Sequence, residues 1–275
     1  MLSLDLLKDG FLAAYPRAAD PLVDRVKQVA TGDHDEVWRL RLRWREPEGP
    51  GEADLAYRVA LDAEGQAACL REARALRLAS EKELPVPTPW LAGGGNDPGH
   101  VLVDWIEGER FTGAWRRRAP IATAELLADV LVDLHEQTED RPASTAAGVV
   151  GDVLARLRRQ AEEREDDAAE AEIEELTQAR PKSVRAALCH GDFRTDKVLL
   201  ERAARPVLVG WTRAGYGDPR LDLARAVVAL DQEEGGVLRA PFLKAYRRTR
   251  PVEPADLAWY EALVKLERRL DEPCP

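Results

Sequence analysis

The chain has 275 residues, 45% of them hydrophobic and 33% charged, a globular composition that the disordered and membrane classes fit poorly. That length is enough for one large domain or two lobes burying roughly three quarters of the unfolded surface. A net charge of -10 argues against a general nucleic-acid role, because backbone binding relies on Lys and Arg to displace counterions.

No stretch reaches the ~18 uncharged apolar residues of a bilayer span. The first residues, MLSLDLLKDG, carry acidic groups where a signal peptide would be basic, so the expected location is cytoplasmic, without a membrane partner. Cys69, Cys189 and Cys274 are odd in number and lack paired spacing, which reads as free thiols.

From Glu36 to Trp44 the run EVWRLRLRW alternates, with Trp38, Leu40, Leu42 and Trp44 on one face and arginines on the other. Period two predicts a half-buried strand. The stretch EPEGPGEAD punctuates a turn, and LAYRVAL alternates again, predicting an antiparallel hairpin with Arg58 on the face opposite the apolar one. Residues 64–79 are rich in helix formers with Leu70, Ala73 and Leu76 on one side, which predicts a helix. The prolines of LPVPTPW enforce an extended connection, and HVLVDWIEGE predicts a strand ending near Gly108.

Beyond that point helices are predicted: ATAELLADVLVDLHEQ, then a long run from Val149 to Ala179, then RLDLARAVVALDQ and VEPADLAWYEALVKLERRL. The acidic run EEREDDAAEAEIEE reads as a solvated helix face. One interruption falls between Ala187 and Trp211, where LCHGDFRTDKVLL and RPVLVGW predict short apolar strands around a polar turn.

His190, Gly191 and Asp192, followed by FRTDKVLL, resemble the catalytic loop H-G-D-x-x-x-x-N of the aminoglycoside phosphotransferase and choline kinase family. Other features of that family follow the same order: Arg58 on a strand, Glu72 on a helix, the P-x-P linker, EG before the second half, LVDLH, and GDPRLDLA. The resemblance covers nearly the whole chain. It implies an α+β, bilobal protein-kinase-like fold: a small antiparallel-sheet N-lobe with one helix over 1–107, of the nucleotide-binding type, and a larger, mostly helical C-lobe over 108–275.

By that resemblance Asp192 would accept the proton of a substrate hydroxyl and His190 would order the same loop. Arg58 would meet the α and β phosphates where most kinases use lysine, with Glu72 pairing to it. No lysine lies between Lys27 and Lys82, and a guanidinium can serve carboxylate and phosphate together. Gly32 would lie in the loop covering the phosphates, and Asp104 to Ile106 would offer backbone groups to adenine. Asp222 would brace the catalytic loop and Asp218, in the same run, would be structural. His135 in LVDLH would be a packed core histidine.

Three departures stand out. The residues that would hold magnesium are Lys197 and Gly210, and neither can bind a cation; a charged lysine has no lone pair and repels one. The phosphate loop, TGDHDEVW, has Gly32 as its only glycine and adds Asp33, Asp35 and Glu36, which repel a triphosphate. The expectation is a pseudokinase serving as a binding or regulatory module. The alternative is an active ATP- or GTP-dependent kinase acting on a hydroxyl of an amino alcohol, sugar or aminoglycoside with atypical metal use. No cofactor is fixed by the sequence: ATP or GTP is the candidate nucleotide, Lys197 could contact it as a fixed charge in the metal's place, and Asp196 or Asp218 could restore a ligand. The partner would be a small molecule or an unknown protein.

Overall fold

A computed structural model describes residues 3–93, 99–110, 119–201, 205–232 and 236–271; Cys274 lies outside them. The chain folds as two units, Met1–Gly108 with Glu201–Arg213, and Glu109–Leu200 with Ala214–Pro275.

The first unit begins with α1 (Leu4–Ala14), capped by Ser3, whose hydroxyl accepts from Leu6 N. Next come β1 (Ala19–Thr31), β2 (Asp35–Glu46), β3 (Gly49–Ala60), α2 (Ala63–Glu81), β4 (Pro89–Gly93) and β5 (His100–Asp104). The strands form one antiparallel sheet in the order β1-β2-β3-β5-β4. The alternation in β2 sends Leu40 and Leu42 inward, opposite Leu55 and Ala53 of β3, where they join Leu7, Phe11, Tyr57 and Leu102 in a closed core. On the other face the small residues Ala60, Cys69 and Ala73 let α2 lie close to the sheet beside Val101.

Several elements escaped the sequence pattern, α1 and β1 among them. α1 has a glycine, Gly10, in its middle, and β1 does not keep period two. Its register with β2 slips three times, and Asp20 and Arg25 adopt left-handed φ of 51° and 50°. The β2–β3 turn is also tighter than EPEGPGEAD suggested. It occupies Pro47 and Glu48, and Gly51 sits in the strand because the Trp44 indole fills the space a Cβ would need, 2.3 Å away. The strand expected to run to Gly108 ends at Asp104, whose carboxylate turns to accept from Thr88 N and Trp90 Nε1.

The N-terminus of α2 is closely fitted. Asp62 caps it by accepting from Gly65 N at 2.9 Å, and a Cβ on Gly65 would lie 1.9 Å from the His34 carbonyl oxygen. Gly65→Ala should therefore cost about 1–3 kcal/mol in urea unfolding, as overpacking does. That sign is opposite to the ~1 kcal/mol gain usual for this change within a helix. A stabilised variant would contradict the packing described.

The second unit contains β6 (Glu109–Arg110), α3 (Pro120–Thr138), α4 (Ala143–Arg164), α5 (Asp167–Gln178), β7 (Ala187–Cys189) and β8 (Val198–Leu200). After β9 (Pro206–Leu208), which belongs to the first unit, it continues with β10 (Gly215–Gly217), α6 (Pro219–Gln232), α7 (Arg239–Thr249) and α8 (Pro254–Asp271). The single run expected from Val149 to Ala179 is two helices. Glu165 ends α4 in a left-handed conformation with φ 54°, and Asp166 caps α5 by accepting from Ala169 N. β7 pairs antiparallel with β10, and β6 with β8. Among the described residues no helix is long and apolar enough to cross a membrane.

Candidate functional site

In the second unit β7 delivers the loop His190–Asp192, which turns at Gly191 with φ 82°, a conformation that glycine adopts without steric cost. Asp222, in the first turn of α6, is fully buried beneath this loop. One carboxylate oxygen accepts from His190 N at 2.5 Å and the other from Gly191 N at 2.8 Å. Both loop amides are thereby satisfied, as buried donors must be. His135 of α3 lies with Nε2 3.6 Å from Asp222 and Nδ1 2.8 Å from the Tyr246 hydroxyl, wholly inside the core. Burial pushes the His135 imidazole down despite Asp222 beside it. Burial opposes the charge on Asp222 too, but the nearby His135, His190 and Arg225 outweigh it, and its carboxyl lies below the usual range. The buried His190 ring accepts from Asp192 N at 3.3 Å and stands edge-on to Phe193.

Asp192 faces partly outward, its side chain 31% exposed, but it is not alone. Arg194 Nε approaches its carboxylate to 3.1 Å and Lys197 Nζ to 3.6 Å. A short 3-10 turn, Thr195–Lys197, brings Lys197 back onto it. The same two cations contact Asp196 at 3.4 and 3.8 Å. Asp218 is fully buried and accepts from Arg220 and from the Tyr260 hydroxyl at 2.7 Å, so its oxygens are occupied. These residues do not fit a magnesium ion. The ion wants several hard oxygen ligands, whereas here an ammonium takes the expected ligand's place and both carboxylates within reach already carry cations. Burial pushes the thiol of Cys189, in β7, upward.

The first unit holds a second charged group. Arg58 of β3 donates from Nη1 to Asp35 and from Nε to Glu72, each at 2.8 Å. Glu72 of α2 is buried, and its other oxygen accepts from Trp211 N at 3.2 Å. Burial opposes the charge on Arg58, yet Glu72 and Asp35 raise its pKa overall. Sequence reasoning placed Arg58 near Glu72 but treated Asp35 only as a repulsive group; the signal missed was its register, two strand positions from Val37, the partner of Arg58. Gly32 N donates to Asp35 O, and the His34 ring lies 2.7 Å from Asp62 and 3.3 Å from Glu64. The loop from Gly32 to Asp35 is thus fastened to the start of α2. Gly210, next to Trp211, has φ 85° and no side chain to offer a ligand.

Asp104, Trp105 and Ile106 follow the end of β5. Trp105 N donates to Asp54 O at 2.9 Å, and the Arg39 guanidinium covers the Trp105 ring at 4.8 Å; Ile106 is half-buried. Cys69 and Cys189 are free thiols, and burial pushes that of Cys69 up to about 12.

A sequence model of the phosphotransferase enzyme family matches residues 12–263. The chain belongs to the phosphotransferase enzyme family. It is 27% identical over 197 residues to the aminoglycoside 3'-phosphotransferase of Streptomyces fradiae, a match covering 66% of this chain and 72% of that protein. The solved structure of aminoglycoside-3'-phosphotransferase of type VIII is 26% identical, with a TM-score of 0.64 over 94% of this chain and 98% of the other. Aminoglycoside phosphotransferase APH(3'')-Id from Streptomyces rimosus, 20% identical, shares the fold at a TM-score of 0.59, covering 97% of this chain and 99% of that one. For this member of the phosphotransferase enzyme family, the α+β architecture of a small antiparallel sheet followed by a helical part agrees with these structures.

Proposed function

We propose that this phosphotransferase-family chain is a binding or regulatory module that does not carry out magnesium-dependent phosphoryl transfer. The observation that carries this reading is the Lys197 ammonium 3.6 Å from Asp192. Like unit charges ~4 Å apart repel by about 4 kcal/mol at the effective dielectric of a protein surface, and a divalent ion beside Lys197 would meet about twice that. Arg194 Nη2 donates to one Asp192 oxygen at 3.3 Å and Lys197 Nζ lies 3.6 Å from the carboxylate, so two cations compete for the oxygens with which a general base would take the hydroxyl proton. Arg58, with Asp35 and Glu72 both on its guanidinium, supports the same reading: a phosphate would have to compete with two carboxylates.

A second reading, an active kinase using ATP or GTP on a hydroxyl of an amino alcohol, sugar or aminoglycoside, is favoured by one observation. Asp222 holds the His190–Asp192 loop with both oxygens, and a scaffold with no use for that loop would not need it braced. Calorimetric titration of ATP, and of GTP, with excess magnesium and again with a chelator separates the two. The binding-module reading expects the same affinity, or the same lack of it, in both conditions. Binding that requires magnesium, or transfer of phosphate from either nucleotide to an aminoglycoside, would overturn it.

A further inference from the structure

Beneath the His190–Asp192 loop, side chains from three elements of the second unit meet in the core: His135 of α3, Cys189 of β7 and Asp222 of α6. One atom of each, Nε2, Sγ and a carboxylate oxygen, lies within 4.8 Å of the other two, and all three residues are buried. Among the described residues His135 Nε2 is shut off from solvent without a hydrogen-bond partner, since Asp222 stands 3.6 Å away. A buried ring nitrogen in that state forfeits a hydrogen bond, and a water or an ion can make good the loss. The surroundings favour an ion. Nδ1 is held 2.8 Å from the Tyr246 hydroxyl, and when that oxygen accepts from Nδ1–H the lone pair stays on Nε2, as it does in metal-bound histidines. Burial also keeps the imidazole from taking a proton to balance the Asp222 carboxylate. A divalent ion held by thiolate, carboxylate and neutral imidazole leaves the cluster without net charge, the cheapest state for buried ionised groups.

We infer that His135, Cys189 and Asp222 form a structural site for a tetrahedral divalent ion of the zinc class, which ties α3, β7 and α6 together under the loop. Sulfur, nitrogen and oxygen donors suit zinc or cobalt(II), whereas magnesium and calcium want oxygen alone. A tetrahedral zinc holds nitrogen and oxygen ligands about 3.3 Å apart, so the 3.6 Å spacing of His135 and Asp222 needs little change, and the sulfur has about 1 Å to close at most. A water takes the fourth position. Binding converts the Cys189 thiol to a thiolate and releases one proton to solvent. The Asp222 oxygens that accept from His190 N and Gly191 N each keep a further lone pair, so ligation and bracing are compatible. The inference holds for a binding module and for an active kinase alike.

The test uses the tag-free full chain, refolded from urea with zinc or cobalt(II) and again with a chelator. Metal analysis after gel filtration should find about one ion per chain, and the cobalt form should show the near-ultraviolet charge-transfer band of a thiolate ligand. The sequence has three cysteines, so the double variant Cys69→Ser with Cys274→Ser leaves Cys189 as the sole source of that band and should keep it. Cys189→Ser should lose the band, bind about tenfold or more weakly, and lose the rise in urea midpoint that zinc gives the wild type. No retained metal would overturn the inference and assign Nε2 to a water. Metal without the thiolate band, or a band that Cys189→Ser retains or the folded double variant lacks, would overturn it as well.

Discussion

Asp222→Ala is expected to cost about 3–5 kcal/mol in urea unfolding, a large share of the ~5–15 kcal/mol of a typical domain. The change leaves His190 N and Gly191 N buried without acceptors, at about 1–3 kcal/mol each, and removes the carboxylate beside His135. Hydrogen exchange at the amides of His190 and Gly191 should accelerate more than at the α6 amides, because the loop loses its fastening. Unchanged exchange at both would rule out the bracing role.

The pH dependence follows from the same pair. His135 is held below its ordinary value, so below about pH 6.5 the unfolded chain takes up a proton that the folded chain refuses, and stability falls with acid from there. Asp222 is also held low. Its contribution is complete above the unfolded carboxylate value, near 3.9, and disappears only as pH falls through the lower folded one. His135→Gln should flatten the upper part of the stability profile and leave the lower part in place.

Arg58→Leu should rank second. It strands Asp35 and the buried Glu72 without their cation, which for a fully buried pair costs about 3–5 kcal/mol. The Arg58 and Asp35 side chains keep 20% and 19% exposure, so screening lowers the expected loss to about 2–4 kcal/mol. Adding Glu72→Gln should restore about half of this, because the amide oxygen can still accept from Trp211 N while the unpaired charge is gone. If the second change brings no recovery, the penalty does not come from the stranded carboxylate.

Most of the architecture was legible because its signals are local. Leu40 and Leu42 alternate with arginines, the prolines between Pro85 and Pro89 forbid helix, and the HGD run marks a loop inside a helical half. What the sequence hid depends on neighbours distant along the chain. Asp35 looks like an obstacle to phosphate until β2 and β3 are put in register and it meets Arg58. Tyr246 lies 111 residues beyond His135, so no spacing rule could have joined that imidazole to the hydroxyl 2.8 Å away. The break at Glu165 was masked because glutamate and alanine favour helix on both sides of it, although Asp166 offered an N-cap.

The irregular course of β1 has a consequence for how molecules of this protein meet. A thirteen-residue strand at the border of a sheet, with Leu22, Val26 and Val29 exposed, would ordinarily invite a strand from another molecule to continue the ladder. Three register slips and the left-handed residues Asp20 and Arg25 interrupt the row of amides and carbonyls that such a strand must match. The border is therefore poorly suited to templating aggregation, and the protein should remain dispersed at concentrations where a straight strand of the same composition would seed fibres.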